Sequence, residues 1–568
     1  MPIRASLLIR TLGTFALGVS LSMSGVTPLH ADAGAYLASR QATIDSNFEA
    51  LAHYATIALT QAPKDVALLE SVLSANIARG EFDDLKGYAT VLESVEPGNQ
   101  IAALASFALM IKAGDFDGII AALDDGQSIS SVVDGFMRAW AYVGKGEMSA
   151  AIDAFDAATR DKRPAEFFGP FNKAMAYALV GDFESGEALL AAPGAPETRD
   201  ALIARMQMLS QLERNDEALA LYDKFFGGVA DPQADAMADI LRAGGAVPFV
   251  ELSNATDGFA NVFYEISAAL AGGPSDAYTL LYARIALELR PERAQFVLLA
   301  AELLNSLGNF DLAAEVYASL PDTDPNYHLA VLGRAETLRN AGREDEELAA
   351  LQELAKARPE RADVLVALGD SLRRHEDNAG AVEVYTQAID LFDELTRAQW
   401  PLFFTRGIAY EQLDMWAESE ADLRKALELE PGQPSVLNYL GYSFLELKIN
   451  LDEAMDMIRQ ASEARPNDGY ITDSLAWGLY RLGRYEEALA PMEKAAALMP
   501  VDPIINDHLG DVYWAVGRER EAQFQWHRAL SFDPEEDDAA RIRLKLEIGL
   551  DRVLVQEGEE PTRPLNDG

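Results

Sequence analysis

Aromatic and acidic residues recur at matching steps between Phe404 and Trp514. Asn438 and Tyr442 form one set, with Leu445 beside them; Asp473, Trp477, Tyr480 and Arg481 form the next; Asp507, Asp511 and Trp514 form the third. The chemistry open to such a stripe is non-covalent recognition. Aromatic rings bury much area at low entropic cost and are common anchors of binding hot spots. Two readings stay open for Trp477 and Trp514: anchors for a ligand, or packing between neighbouring helices.

Catalytic chemistry has no foothold of this quality. The chain holds no phosphate loop of the G-x₄-G-K-[ST] type, no G-x-G-x-x-G following a strand, no H-E-x-x-H and no Ca²⁺ loop. Its six histidines stand at positions 30, 53, 328, 375, 508 and 527. His508 and His527 lie close enough in sequence to meet, but no third ligand has suitable spacing. Acidic pairs such as Asp83-Asp84 and the run 535–538 read as solvated turns. No catalytic, cofactor or metal site is therefore expected.

The elements that position the stripe are repeats. Gly441, Ala476 and Gly510 each follow a leucine. From Ala476 the steps lead to Ala488, Met492, Ala495 and Pro500, and from Gly510 the same steps lead to Ala522, Trp526, Ala529 and Pro534. Followed upstream, the marker falls at Ser39, Leu73, Phe107, Ala139, Ala174, Met206, Ser267, Ala301, Ala335, Gly369 and Gly407. Seven of the thirteen intervals are 34 residues. A period of this size implies a solenoid. Within a unit, apolar residues at helical spacing mark two helices separated by a turn such as Gly483-Arg484. A small marker residue lets the two helices of a pair approach closely, and a proline such as Pro500 ends the unit.

Two intervals depart from the period. The step from Gly369 to Gly407 is 38 residues, which places a short insertion near 393–400. The step from Met206 to Ser267 is 61 residues and spans two clusters of breakers, Gly227-Gly228 to Pro232 and Gly244-Gly245 to Pro248. It reads either as a junction between two solenoid halves or as a distorted, continuous repeat.

The runs Gly407-Ile408-Ala409-Tyr410…Leu423…Ala426…Pro431 and Leu509-Gly510-Asp511-Val512-Tyr513…Ala522…Trp526…Ala529…Pro534 resemble the tetratricopeptide repeat (TPR). The resemblance implies an all-α fold, a right-handed superhelical solenoid of about fourteen helix-pair repeats, and protein or peptide partners held on the concave face. In such repeats the first helix of each pair lines that face, through positions three before the marker and one, four and five after it. Phe404, Asn438, Tyr442, Asp473, Trp477, Tyr480, Arg481, Asp507, Asp511 and Trp514 occupy those positions. TPRs that grip a chaperone's C-terminal carboxylate place lysines there. This chain offers only Arg373, Arg374 and Arg481, so that mode is not expected.

The set Asn438-Tyr439-Leu440-Gly441-Tyr442, Asp473-Ser474-Leu475-Ala476-Trp477 and Asp507-His508-Leu509-Gly510-Asp511 also resembles exported bacterial envelope TPR proteins. These include lipoprotein adaptors that deliver substrates to carboxyl-terminal processing proteases. The resemblance implies a non-catalytic periplasmic scaffold, with a protease or an assembly factor as partner. A self-associating structural protein is the alternative. An enzyme such as a TPR-linked glycosyltransferase is disfavoured, because the repeats leave no room for its catalytic domain.

Composition sets the remaining bounds. Hydrophobic content of 49% suffices for a repeat core. The balance of 47 basic and 91 acidic residues, −44 in all, opposes nucleic-acid binding, which needs Lys and Arg to neutralise phosphates. Arg4 and Arg10, the apolar stretch 11–25 and Ala31-Asp32-Ala33 read as an export signal cut after Ala31 or Ala33. An uncleaved anchor is the other reading, although the stretch falls short of the roughly 20 apolar residues that span a bilayer. With no cysteine there is no lipid-bearing residue and no disulfide. The expected organisation is a signal at 1–33, a first array at 34–226, a junction at 227–261, a second array at 262–534, a capping helix at 535–556 and a disordered tail at 557–568.

Overall fold

A computed structural model describes residues 30–160, 163–227, 231–273 and 275–564. The expected signal thus lies largely outside the described residues. Those residues form 31 α-helices and one 3₁₀ turn, with no strand among them. Fourteen successive helix pairs run from His30–Ile44 with Phe48–Leu59 to Pro503–Ala515 with Glu519–Leu530. One helix, Pro232–Arg242, stands alone between the sixth and seventh pairs.

The local chemistry explains these elements. Asn47, Asp65, Asn99, Asp468 and Asp502 each precede a helix and accept a bond from its first free N–H groups. Gly80 and Gly114 close helices in the left-handed region, which most side chains avoid. Helix pairs then close over the marker residues. A Cβ added to Gly369 would lie 2.4 Å from the Tyr385 ring, and one added to Gly510 would lie 2.4 Å from the Trp526 indole. Gly407 meets Leu423 and Gly441 meets Ile458 in the same way. Trp526 and Tyr385 are fully buried by this approach.

The chain divides into two compact units at Arg358/Pro359. The breaker-rich stretch 227–261 lies inside the first unit, where it changes the direction of the chain. After Pro232–Arg242 the backbone runs as a non-helical strap over residues 243–254. It returns along the earlier helix Arg199–Gln211: the Val247 N–H donates to Ser210 Oγ (2.8 Å), and the Val250 N–H donates to Gln207 Oε1 (2.9 Å). Gln211 donates to the Val247 carbonyl at 2.7 Å. The pair Ala255–Leu270 and Asp276–Leu289 then packs against the first helices of four earlier pairs, Val66–Arg79, Gln100–Ala113, Ser131–Gly144 and Arg163–Leu179. Phe259 stacks on Phe116 with centroids 6.1 Å apart, and Gly258 lies against the Trp140 indole. Trp140 donates to Asn172, and Asn172 donates to Glu265. The concave face of these early repeats is thus filled by the unit's own chain.

The second unit keeps the simpler stacking. Its core runs from Phe403 to Leu554 through Leu440, Ala476, Met492 and Trp526.

Candidate functional site: the concave face of the second unit

Five first helices form this face: Ala362–Arg374, Trp400–Glu411, Pro434–Glu446, Gly469–Arg481 and Pro503–Ala515. Side chains three, four or seven positions apart share one side of a helix, so each contributes a short row to the face. Proline stands at the start of three of these helices, where its missing N–H has no helical partner to lose. The face has a closed part and an open part.

The closed part lies on Gly469–Arg481 and Pro503–Ala515. Trp477 and Tyr480 are buried, at 8% and 6% exposure. The Trp477 indole stacks on the His508 imidazole (3.9 Å) and on the Tyr480 ring (4.7 Å), both nearly parallel to it. Its Nε1 donates to Glu446 at 3.1 Å. His508 Nδ1 pairs with the Asp473 carboxylate at 3.0 Å. Burial alone would lower the His508 pKa, but Asp473, followed by Asp507 and Asp511, lifts it above the usual imidazole range.

Over this part sits the chain's own end. Lys545, on the helix Glu536–Ile548, is fully buried and donates to Asp507 Oδ2 (2.7 Å) and to both Asp511 oxygens (2.7 and 2.8 Å). Trp526 Nε1 donates to the same Asp511 carboxylate. Burial pushes Asp511 upward against the opposing pull of Lys545. Trp514 donates to Asp551 (2.8 Å) on the last helix, Leu550–Gln556, and the Arg563 guanidinium lies over its ring. Asp551 also accepts from the Thr562 N–H and hydroxyl and from the Arg563 N–H. Glu559 reaches Lys448 at 3.0 Å and Arg481 at 3.8 Å. Glu559 and Arg563 thus lie against the repeats, and Thr562 is bound to Asp551.

The open part lies on the three preceding helices. Phe404 is half-buried and meets Tyr439 edge-on at 5.7 Å. Asn438 is half-buried, and its side-chain carbonyl has no hydrogen-bond partner among the described residues. Tyr442 is half-buried, its hydroxyl pKa raised by burial and then by the Glu446 and Asp473 carboxylates. The structure therefore brings Asp473, Trp477, Tyr480, Asp507, Asp511 and Trp514 together under the terminal segment, with Arg481 at its edge. It leaves Phe404, Asn438 and Tyr442 in the open part.

Sequence reasoning missed two members of this site. Tyr439 donates to Glu411, and the pair sits within the field of Arg373. His508 lies two before its marker, outside the expected positions, yet it forms one wall of the Trp477 slot. The equivalent place one repeat earlier is Ser474, so the repeat pattern carried no signal for it.

A tetratricopeptide-repeat family model matches residues 271–328 and 332–396. The chain carries tetratricopeptide repeats. A TPR repeat-containing protein of Pseudomonas aeruginosa is 31% identical over 163 residues, 28% of this chain and 26% of that one. A lipoprotein NlpI homolog of Haemophilus influenzae is 39% identical over 89 residues, covering 15% and 27%. These TPR matches span about a quarter of the relatives' own length. Among solved structures, a tetratricopeptide repeat protein from Parabacteroides merdae is 16% identical, over 45% of this chain and 97% of that one, with a TM-score of 0.38. A TPR protein described as having an unusual peptide-binding site is 18% identical, over 34% and 98%, with a TM-score of 0.27. Among the described residues no helix is long and apolar enough to cross a membrane.

Proposed function

We propose that this TPR protein is an exported, non-catalytic scaffold. Its second unit holds a peptide or helix of a partner protein against Phe404, Asn438 and Tyr442, and presents that partner to an envelope protease or assembly machine. The observation that carries the reading is the continuous concave row itself. One end of it already grips a polypeptide segment, the chain's own, while the other end offers two half-buried aromatic rings and an unpaired amide carbonyl. Buried unpaired polar atoms are costly, and a ligand N–H directed at Asn438 would remove that cost. The lipoprotein relative supports an envelope location.

The test is capture of partners from periplasmic extract by the tagged full chain and by a Phe404→Ala/Tyr442→Ala double variant. Loss of two central aromatic anchors is expected to weaken capture of a protease or assembly factor by at least about tenfold. The thermal midpoint of the second unit should move by only a few degrees. Equal capture by both chains would remove the binding site from this face.

A further inference from the structure

The terminal segment buries a charge beside its apolar contacts. Ile542, Leu550, Val553 and Leu554 are buried, the first, second and last of them in the core of the unit, and Lys545 is fully buried next to them. The ammonium of Lys545 lies between the two aspartates, 5.8 Å from the Trp526 ring centroid. A buried ion pair adds little over apolar packing of the same volume, because desolvation offsets its attraction; what it supplies is register and selectivity. The fit is also incomplete. Asp507 Oδ1 and the Tyr480 hydroxyl are buried beside the segment without a hydrogen-bond partner, and Tyr480 is only 6% exposed.

The segment is further built to leave intact. Residues 531–535, which join it to the last repeat, are not helical, so its release unwinds nothing. Its internal bonds remain when it departs: Arg541 with Glu557, and Asp551 with Thr562 and Arg563. Its polar contacts with the repeats include Lys545 to Asp507 and Asp511, Asp551 to Trp514, Glu559 to Lys448 and Arg563 to Glu519, beside the apolar contacts of Ile542, Leu550 and Leu554.

We propose that residues 536–564 are a displaceable internal ligand of the second unit, and that the partner which displaces them is a helix presenting a lysine with an aliphatic residue three positions before it. Ile542 and Lys545 supply that spacing in the resident segment. The proposal rests on the scaffold reading and names the chemistry of the partner. The closed part of the face is then a second half of the binding row, exposed only when a basic helix competes for the two aspartates.

A fluorescent synthetic peptide of residues 536–564 is titrated against the full chain and against its Lys545→Gln variant. The peptide is expected to bind the variant at least tenfold more tightly, because the resident segment competes less well there. A peptide with glutamine at the lysine position should bind neither chain. Equal affinity for both chains, or affinity indifferent to the peptide's lysine, would overturn the proposal. Amide exchange on the wild-type chain gives a second reading that does not depend on the variant's folding. Amides of 536–564 should exchange at least tenfold faster than those of 503–530, and faster still with added peptide. Exchange of both regions at one rate would make the segment a fixed cap. Wild-type chains that release the segment but capture no envelope protein would overturn the scaffold reading and leave the displaceable segment standing.

Discussion

Glu265 shows how a single residue carries a measurable cost in this fold. Its carboxylate takes a bond from Asn172 Nδ2 at 2.6 Å, and burial pushes its pKa from 4.5 up to about 8, with that bond pulling the other way. A folded-state pKa raised above the unfolded value means stability that is full below about 4.5 and lost as pH rises through about 8. Glutamine keeps an acceptor for Asn172 and cannot ionise. Glu265→Gln is therefore expected to leave the thermal midpoint of the first unit nearly unchanged at pH 5 and to raise it at pH 9. Parallel midpoint–pH curves for the two chains would show that Glu265 does not govern this dependence. His508, lifted by Asp473, contributes in the same direction in the second unit. Much of the residue scale was legible beforehand. The marker steps place Asp473, Trp477, Asp507 and Asp511 on one side of two helices, and Gly510 against Trp526 is the small-residue contact that the period implies. Lys545 was not legible, because a lone lysine in an acidic helix reads as solvated; its burial depends on a contact 34 residues away in the chain.

Among elements, the strap at 243–254 is the most exacting. It lies on Gln207, Ser210 and Gln211, which stand one, four and five places after the Met206 marker, the positions that face the groove. Gln207 is 1% exposed and serves both the Val250 N–H and the Glu251 carboxylate. Replacing it with alanine removes the partner of the Val250 N–H and leaves Arg293 as the remaining side-chain partner of the Glu251 carboxylate, at a cost of about 1–3 kcal/mol. Gln207→Ala should lower the urea midpoint of the first unit and speed amide exchange at 247–251 selectively. An unchanged exchange pattern would mean that the strap is held by other contacts. The sequence marks this stretch by its glycines and prolines, which disclose where the chain turns. They do not disclose where it goes next, since breakers act locally and the groove lies a full repeat earlier. For the same reason the division into compact units, at Arg358/Pro359, leaves no local mark comparable with 227–261.

The whole molecule is dominated by charge. Even with every one of the 47 basic residues paired, 44 carboxylates remain in excess. Exposed ion pairs such as Arg424 with Glu453 contribute only about 0–1 kcal/mol each and weaken in salt. Repulsion among the surplus acids also weakens in salt, since the Debye length falls from roughly 30 Å at 0.01 M to roughly 8 Å at 0.15 M. The surplus outnumbers the pairs, so the thermal midpoint of the full chain is expected to rise by several degrees over that range. A falling midpoint would mean that the ion pairs win.

Repeat arrays ordinarily assemble piece by piece, each pair adding to its neighbour with no need of distant sequence. The first unit cannot complete itself that way. Asn309 donates to the Ser46 carbonyl across 263 positions, and Lys112 meets Glu288 across 176. A chain emerging N-terminus first forms its early helix pairs quickly, yet their inner face stays wet until residues 243–289 arrive. Closing so long a loop comes late and is slow. The early repeats of the first unit therefore depend for their final packing on a segment made after them.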